Sequence, residues 1–166
     1  MDAAERVEAK PFLSGIAVFG GLADAAMEQL LDLIQTREYG RGDVVCTEGE
    51  PGREMFILQR GEVEVRKNLG EGRHTPLARL RVGDCFGEMS LIDVQARSAS
   101  VIAVQETRLY ALTNMDLYKL YQTNLEAYAF LLQNICRELS RRLRRADGVI
   151  AEFFLRIEQY ARISME

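Results

Sequence analysis

Hydrophobic positions near the start of the chain repeat with a helical period. Apolar residues recur every three or four positions over residues 22–34, which predicts an amphipathic helix there. Asp24 lies in its first turn, where a carboxylate interacts favourably with the helix dipole.

From Glu38 to Leu112 the pattern changes to short apolar runs separated by glycine-containing turns. Six runs are predicted as strands, at residues 44–46, 55–58, 63–65, 77–80, 101–104 and 109–112. Strands of this length and spacing are typical of an antiparallel sandwich. The predicted class is mainly β with flanking helices: a jelly-roll-like β-sandwich with an N-terminal helix and a long C-terminal helix.

The helical period returns after Asn114. Residues 115–121 are predicted to form a short helix, and from Leu125 onward apolar residues follow at intervals of three and four. Two consecutive intervals of four predict one stutter in an otherwise regular stripe. The positions are Leu125, Tyr128, Leu132, Ile135, Leu139, Leu143, Ala146, Ile150, Phe153, Ile157 and Tyr160.

This apolar stripe predicts a homodimer. An unbroken helix would extend about 54 Å, too far to pack against one small β-domain. We therefore expect the C-terminal helix to pair in parallel with a second copy. Gly148 is the weak point, and two ordinary helices folded back on the core are the alternative.

Composition excludes several classes of protein. The chain has 166 residues, 48% of them hydrophobic, and a net charge of −4, which gives no support to nucleic-acid binding by this chain alone. No apolar stretch reaches the roughly 18 residues of a membrane span, and the first ten residues do not resemble a secretory signal. Three scattered cysteines and one histidine predict neither a disulfide framework nor a metal site. A cytoplasmic location fits best.

Candidate chemistry lies between two predicted strands, at residues 85–101. Gly87 allows close backbone approach, and the next four residues can form one helical turn whose free amides bind an anion. Arg97 can present a bidentate fork to the same anion, and Ser98 adds a hydroxyl. Glu88 would repel an anion unless it faced a donor such as a sugar hydroxyl. A phosphate beside a ribose hydroxyl indicates a nucleotide.

This segment resembles the phosphate-binding cassette of the cyclic-nucleotide-binding domain family, which includes catabolite activator proteins, kinase regulatory subunits and gated channels. The resemblance rests on Phe-Gly-Glu-Met-Ser-Leu at residues 86–91, followed by Arg-Ser-Ala-Ser-Val at 97–101. It extends from about residue 19 to residue 143 and includes the glycine turns at 42–43 and 48–50.

The resemblance implies a role for each matching residue. Arg97 would bind the exocyclic phosphate oxygens, and the Ser98 hydroxyl and Ala99 amide would complete the cradle. Glu88 and the Gly87 amide would bind the ribose 2′-hydroxyl. The other members of the candidate ligand-binding set are Phe86, Met89 and Ser90.

Two positions depart from the family pattern. The family often has proline just before the arginine, where this chain has Ala96, so we expect a less rigidly preset loop. The family often has alanine or glycine where Ser90 stands, and a small polar residue is tolerable there. Neither departure removes a ligand contact.

Two questions stay open at this point. Glu88 and Arg97 could instead pair with each other and pin a loop in a domain that binds nothing. The base is also open, because Ser98 offers a contact to a guanine amino group, yet family members with this serine also favour adenine. Candidates for a base contact from the C-terminal helix are Arg144, Arg145 and Asp147.

Three other features are interpreted as structural. The basic residues within 137–145 are interpreted as a solvated face beside the helical seam rather than a contact with nucleic acid or an acidic partner. The three cysteines are interpreted as small buried apolar groups. His74 is expected on the surface, in a hairpin loop.

Together these features predict a non-enzymatic sensor, since the chain lacks familiar catalytic motifs. Residues 1–121 form the nucleotide-binding sandwich, and residues 122–166 form a helical lid and dimerisation segment. Cyclic AMP is favoured over cyclic GMP, with no cofactor, and occupancy acts through the C-terminal helices on an unknown output partner. The alternatives are the sensor part of a transcription regulator whose DNA-binding domain is absent from this chain, and a dimerisation scaffold that binds no nucleotide.

Overall fold

The computed structural model describes residues 2–93 and 95–163, with side chains described as far as Tyr160. Its helices are α1 (Ala3–Ser14), α2 (Asp24–Leu33), α3 (Met89–Ile92), α4 (Asn114–Thr123) and α5 (Leu125–Ile163), with a 3-10 turn at Ala17–Phe19. Its strands are β1 (Gln35–Tyr39), β2 (Val44–Cys46), β3 (Glu54–Arg60), β4 (Glu62–Asn68), β5 (His74–Arg81), β6 (Cys85–Phe86), β7 (Ser100–Ala103) and β8 (Thr107–Thr113).

The strands form two four-stranded antiparallel sheets, in the orders β1-β8-β3-β6 and β2-β7-β4-β5. This arrangement confirms the predicted β-sandwich with an N-terminal helix and a long C-terminal helix. All six predicted strands are present, and α2 and α4 confirm the two predicted shorter helices. Strands β1 and β6 were not predicted, because β1 is largely polar and β6 has only two residues.

Strands β3 and β8 are apolar on both faces. Met55 and Ile57 face a core shared with the helices, whereas Phe56 and Leu58 face the core between the two sheets. Successive side chains of a strand point to opposite faces, so a strand between two cores reads as a continuous apolar run. This explains the uninterrupted Met-Phe-Ile-Leu sequence at residues 55–58.

Helix α1 forms several ion pairs with α2 and buries few side chains, and its sequence shows little apolar periodicity. Arg6 pairs with Glu28 and Asp32 of α2, and Lys10 pairs with Glu28 and Asp24. Only two side chains of the helix are fully buried, Ala9 and Leu13. The sequence therefore did not predict this helix.

Helix α5 is continuous for 39 residues and contains Gly148, so the predicted long helix is confirmed and the alternative of two short helices is wrong. Its first part is buried against the domain through Ala127, Leu131 and Ile135. Asn134 adds two hydrogen bonds, from Nδ2 to the carbonyls of Val18 and Gly20. Among the described residues, no helix is long and apolar enough to cross a membrane.

The outward stripe of α5 differs from the predicted one. Ile135 is fully buried against its own domain, whereas its neighbour Cys136 is exposed. The outward stripe therefore runs through Cys136 and, one heptad earlier, through Ala129, which is also exposed. When these two positions replace Tyr128 and Ile135, the intervals alternate four and three without interruption, so the stripe carries no stutter. Leu132 and Leu139 of this stripe are half-buried and also pack against the domain core.

Helix α4 begins with a capping box that fixes the end of β8 to the helix. The hydroxyl of Thr113 accepts from the amide of Asp116 at 3.1 Å, and the buried Asp116 carboxylate accepts from Thr113. Burial alone would raise the pKa of Asp116, but the hydrogen bonds from Thr113 and Lys119 hold it below its ordinary value.

We expect Thr113→Ala to lower the free energy of unfolding by about 1 kcal/mol, because a helix N-cap is lost. Thr123→Ala, at the other end of α4, is the matched control and should change it little. Because the Asp116 pKa is lowered, its carboxylate stabilises the fold above the ordinary pKa of 3.8 and loses this effect as the pH falls through the folded pKa. Denaturant unfolding at pH 7 and below pH 3.8 would measure the effect of each substitution and the dependence of stability on pH. Equal losses of unfolding free energy in Thr113→Ala and Thr123→Ala would contradict the capping role.

Candidate functional site

All eight residues predicted to bind a ligand line one cavity of about 670 Å³. They come from the end of β6, from α3 and its preceding turn, and from the segment before β7. Other walls are formed by strands β2, β4 and β5 and by one face of α5. The structure therefore brings together the two halves of the predicted cassette, which lie about ten residues apart in the chain.

Arg97 is a buried cation, with only 9% of its surface exposed. Its Nη1 atom donates to the Glu54 carbonyl at 2.8 Å and to the Ser90 hydroxyl at 3.2 Å. The guanidinium carbon lies 5.6 Å from the centre of the Phe56 ring, which stacks in turn on Phe86. Among the side chains that the structure describes, no carboxylate forms an ion pair with Arg97, so this buried charge has polar and aromatic partners only.

Two glycines make room for Arg97. A Cβ atom at Gly87 would lie 2.5 Å from the Arg97 Nη1 atom, and the φ angle of Gly87, +75°, is one that other residues rarely adopt. A Cβ atom at Gly52 would lie 2.2 Å from the Ser90 hydroxyl and 3.0 Å from Arg97 Cδ. Any side chain at either position would displace the guanidinium or the serine that orients it.

The segment before Arg97 is fixed by backbone pairing, although it has alanine where the family often has proline. Ala96 forms an isolated antiparallel bridge with Pro51. The amide of Arg97 donates to the Glu50 carbonyl at 2.8 Å, and the Gly49 amide donates to the Arg97 carbonyl at 2.9 Å. The turn at 49–52 therefore sets the position of Arg97, and a rigid proline is not required for this.

Glu88 pairs with a residue that the sequence analysis treated as solvated. Its Oε1 atom accepts from Arg142 Nη1 at 2.8 Å, and Arg142 also donates to the carbonyl of Cys85. The alternative in which Glu88 and Arg97 neutralise each other is therefore wrong. The interpretation of the whole basic stretch as a solvated face is also wrong, because Arg142 is half-buried against the cavity.

The second carboxylate oxygen of Glu88 is available at the cavity. Glu88 is only 3% exposed, and its Oε2 atom has no hydrogen-bond partner within the described residues. A buried acceptor without a donor costs free energy, so a hydroxyl that donated to Oε2 would be bound favourably. The expected role of Glu88 toward a ribose hydroxyl is chemically consistent with this arrangement.

The part of the cavity wall that β4 and β5 contribute is apolar. It contains Val65, Leu77 and Leu80 from strands β4 and β5, a surface suited to the face of a planar ring. Of the three α5 residues considered for a base contact, only Arg145 lines the cavity within this chain, whereas Arg144 and Asp147 do not. Glu138, Arg142 and Ala146 are the other α5 residues on the wall.

The three thiols have different surroundings. Cys85 is buried, and desolvation raises its pKa to about 12, so it stays protonated. Cys46 is half-buried on the cavity wall, and burial raises its pKa as well. Cys136 is exposed, which contradicts the prediction that all three are buried. Within the described residues no group of histidine, cysteine and acidic side chains could hold a metal ion.

A family model for the cyclic nucleotide-binding domain matches residues 36–124, more than half of the chain. The chain belongs to this family. The matched residues run from β1 to the residue that follows α4 and contain all eight candidate ligand-binding residues.

Known relatives and a solved structure agree with this assignment. The domain is 36% identical over 136 residues to a cyclic AMP receptor protein of Thermus thermophilus, covering 81% of this chain and 61% of that protein. It is 38% identical over 96 residues to a cAMP-dependent protein kinase regulatory subunit of Mycosarcoma maydis, covering 58% of this chain and 18% of that one. The chain thus spans about three fifths of the first relative's length and far less of the second.

The fold is shared with a cyclic nucleotide-binding domain from Methylobacillus flagellatus. The two structures superpose with a TM-score of 0.78 at 27% sequence identity, covering 90% of this chain and 84% of that one.

Two residues of the cyclic nucleotide-binding domain site were missed by sequence reasoning. Arg142 stands 54 positions from Glu88, inside a stretch with several similar arginines, so no local pattern distinguishes it. Gly52 lies in a segment whose glycines were interpreted only as turn residues between strands. The available signal was its position close to the Gly-Glu turn that resembles the family. That position does not reveal that a side chain at residue 52 would collide with Ser90.

We expect Arg142→Met to destabilise the domain by about 1–2 kcal/mol, because it leaves the buried Glu88 carboxylate without its partner. Arg141→Met is the matched control, since Arg141 is exposed and, within the described residues, pairs only with Glu138 of the same helix. Chemical denaturation of both variants would test this. Equal stability losses would contradict the role of the Glu88–Arg142 pair.

Proposed function

We propose that this domain is a non-enzymatic sensor of a purine 3′,5′-cyclic monophosphate. The observation that carries the proposal is the buried Arg97 guanidinium, which faces the cavity and has no carboxylate partner among the described residues. Burying a cation is costly unless an anion compensates it, and a cyclic phosphodiester supplies one negative charge with two exocyclic oxygens. The nearby buried Glu88 oxygen adds the acceptor that a ribose hydroxyl requires.

In this proposal five cassette residues bind the ligand directly. Arg97 binds the exocyclic phosphate oxygens, with the Ser98 hydroxyl and Ala99 amide beside it. Glu88 Oε2 and the Gly87 amide bind the ribose 2′-hydroxyl. Of the remaining residues of the set, Phe86 stacks on the Phe56 ring that lies beside Arg97, and Ser90 accepts from the Arg97 guanidinium. Met89 is exposed and lines the cavity.

Cyclic AMP is proposed over cyclic GMP. The apolar wall formed by Val65, Leu77 and Leu80 suits an adenine, which carries fewer polar groups than guanine. The names of the Thermus and Mycosarcoma relatives, both of which refer to cyclic AMP, also support this choice. The Ser98 hydroxyl and the Arg145 guanidinium are the groups through which guanine would compete.

Occupancy is proposed to act on α5 through Glu88. One oxygen of this carboxylate binds Arg142 of α5, and the other is left for the ligand. A ligand can shift α5 only if it binds one arrangement of the helix more tightly than another, and a shared carboxylate provides such a dependence. Residues 1–121 would then act as the binding part and residues 122–166 as the lid and dimerisation part, although α4 itself continues to Thr123.

A parallel homodimer through α5 is part of the proposal. Beyond Leu139 the outward stripe is strongly exposed, and several large apolar residues project into solvent: Leu143, Ile150, Phe153, Ile157 and Tyr160. The regular heptad spacing suits a second identical helix, because knobs at such positions fit the holes of a parallel partner.

The second candidate is the sensor part of a longer transcription regulator, and it is favoured by the 61% coverage of the Thermus receptor protein. A scaffold without nucleotide affinity is the third candidate, and the titration below tests it. The output partner and the cytoplasmic location stay predictions.

Calorimetric titration with cyclic AMP and then cyclic GMP is the direct test. We expect saturable binding, tighter for cyclic AMP, and no comparable binding of adenosine, which lacks the phosphate. Arg97→Ala should weaken binding about a hundredfold, and Arg97→Lys about tenfold, because lysine keeps the charge but loses the fork.

Unchanged circular dichroism spectra would show that both Arg97 variants are folded. Absence of binding to either nucleotide by the unmodified protein would refute the sensor and favour the scaffold. Equal binding by the unmodified protein and Arg97→Ala would refute the assigned site.

The helix register gives a second test of the proposal. In a parallel, in-register dimer each Cys136 faces its own counterpart, within the spacing that a disulfide bridges. Mild oxidation should therefore yield a covalent dimer, detected on a non-reducing gel. The matched control carries Cys136→Ser and Gln133→Cys, which moves the thiol about a sixth of a turn around the helix to another exposed position. Equal cross-linking of the control, or none in the parent protein, would contradict the proposed seam.

A further inference from the structure

We propose that Lys67 is a positioning residue that holds the outer part of the phosphate cradle in place before a ligand arrives. The inference rests on the proposed function and adds a residue outside the cassette to it. The Lys67 ammonium donates to the backbone carbonyl of Ser98 at 2.7 Å and to Glu48 Oε1 at 2.7 Å. It therefore ties the residue immediately after Arg97 to a different part of the sheet.

Strand pairing explains why a side chain is needed at this point. The ladder between β4 and β7 ends at the pair formed by Arg66 and Ser100. Before Ser100 the chain leaves the sheet to form the segment 97–99, so backbone bonds to β4 no longer fix it. Lys67 is the next residue of β4, and its long side chain reaches Ser98 beyond the end of the ladder.

The ammonium itself is anchored. Glu48 Oε2 accepts from the backbone amide of Asn68 at 2.9 Å, and the Glu48 amide donates to the Ser100 hydroxyl at 2.9 Å. The hydrogen bond from Asn68, followed by that from Lys67, lowers the pKa of Glu48, so its carboxylate stays charged at neutral pH. Glu48 is thus connected to β4 and to the start of β7, and Lys67 closes the connection at Ser98.

The two ends of the cradle are held in different ways. On one side, Arg97 is fixed by backbone bonds with Gly49 and Glu50. On the other side, Ser98 is exposed and its carbonyl is bound by the Lys67 side chain. Without Lys67, we expect the Ser98 hydroxyl and Ala99 amide to sample other positions, and only the fraction of molecules with a formed cradle would bind ligand.

The test compares Lys67→Met with Arg66→Met. Lys67→Met keeps an aliphatic side chain and removes the ammonium. Arg66 is the control because it stands beside Lys67 on β4, is similarly exposed and pairs with Glu64 rather than with the cassette. Stopped-flow binding of a fluorescent cyclic AMP analogue should show about a tenfold lower association rate constant for Lys67→Met, with the dissociation rate constant nearly unchanged. Arg66→Met should match the unmodified protein.

Amide hydrogen exchange of the ligand-free protein tests the role of Lys67 independently of binding. Amides of residues 98–100 should exchange faster in Lys67→Met, with the rest of the domain unchanged, and Lys67→Arg should restore slow exchange and most of the association rate. If the unmodified protein binds no cyclic nucleotide, the proposed function fails, yet the exchange measurement still tests the tether. Normal association and exchange in Lys67→Met, or identical changes in Arg66→Met, would overturn the role of Lys67.

Discussion

The structure of this site depends on keeping one guanidinium buried with no carboxylate partner in the part of the chain that the structure describes. Arg97 is stabilised by a backbone carbonyl, a serine hydroxyl and the face of Phe56, all of which are weaker partners than an anion. This arrangement leaves the charge able to attract a phosphate. The glycines at 52 and 87 leave space beside that group, the backbone pairing of the turn at 49–52 sets its position, and the stacked phenyl rings lie next to it.

Glu88 places a second constraint on the same cavity. Unlike Arg97, it has an ionic partner in the described structure, and that partner belongs to α5. A single carboxylate thus faces both the cavity and the helix. Because Arg142 also donates to the Cys85 carbonyl, the helix is bound to both sides of the turn that begins the cassette. Glu88 therefore connects the cavity directly to α5, and the proposed signalling does not require a longer series of contacts between them.

Sequence reasoning predicted the parts of the fold in which burial follows a local period. Six strands, two shorter helices and the long C-terminal helix were predicted because each has a regular apolar pattern. Helix α1 was missed because residues far away in the chain hold it, through pairs such as Arg6 with Glu28. The prediction of a stutter in α5 was wrong for a related reason. Ile135 and Cys136 are both apolar, and the sequence alone does not show that Ile135 faces its own domain whereas Cys136 faces outward.

The same limit applies to the candidate site. All eight cassette residues line one cavity. They could be predicted together because they lie close to one another in the chain, within residues 86–99. The contacts of Lys67 and Arg142 join segments 31 and 54 residues apart, and only the sandwich topology brings them together.

Helix α5 carries two apolar stripes, and their lengths differ. The stripe that faces the domain ends near Arg142, whereas the outward stripe continues to Tyr160. Between Arg142 and the end of the described helix lie about 32 Å of continuous helix, at 1.5 Å per residue. Gly148 does not interrupt the helix. A small change in the tilt of α5 at Arg142 would therefore move the far end of the helix through a larger distance than the residues next to Arg142. In the proposed mechanism, a local change at Glu88 would therefore be felt most strongly where the outward stripe is most exposed, at the surface proposed to meet the second copy.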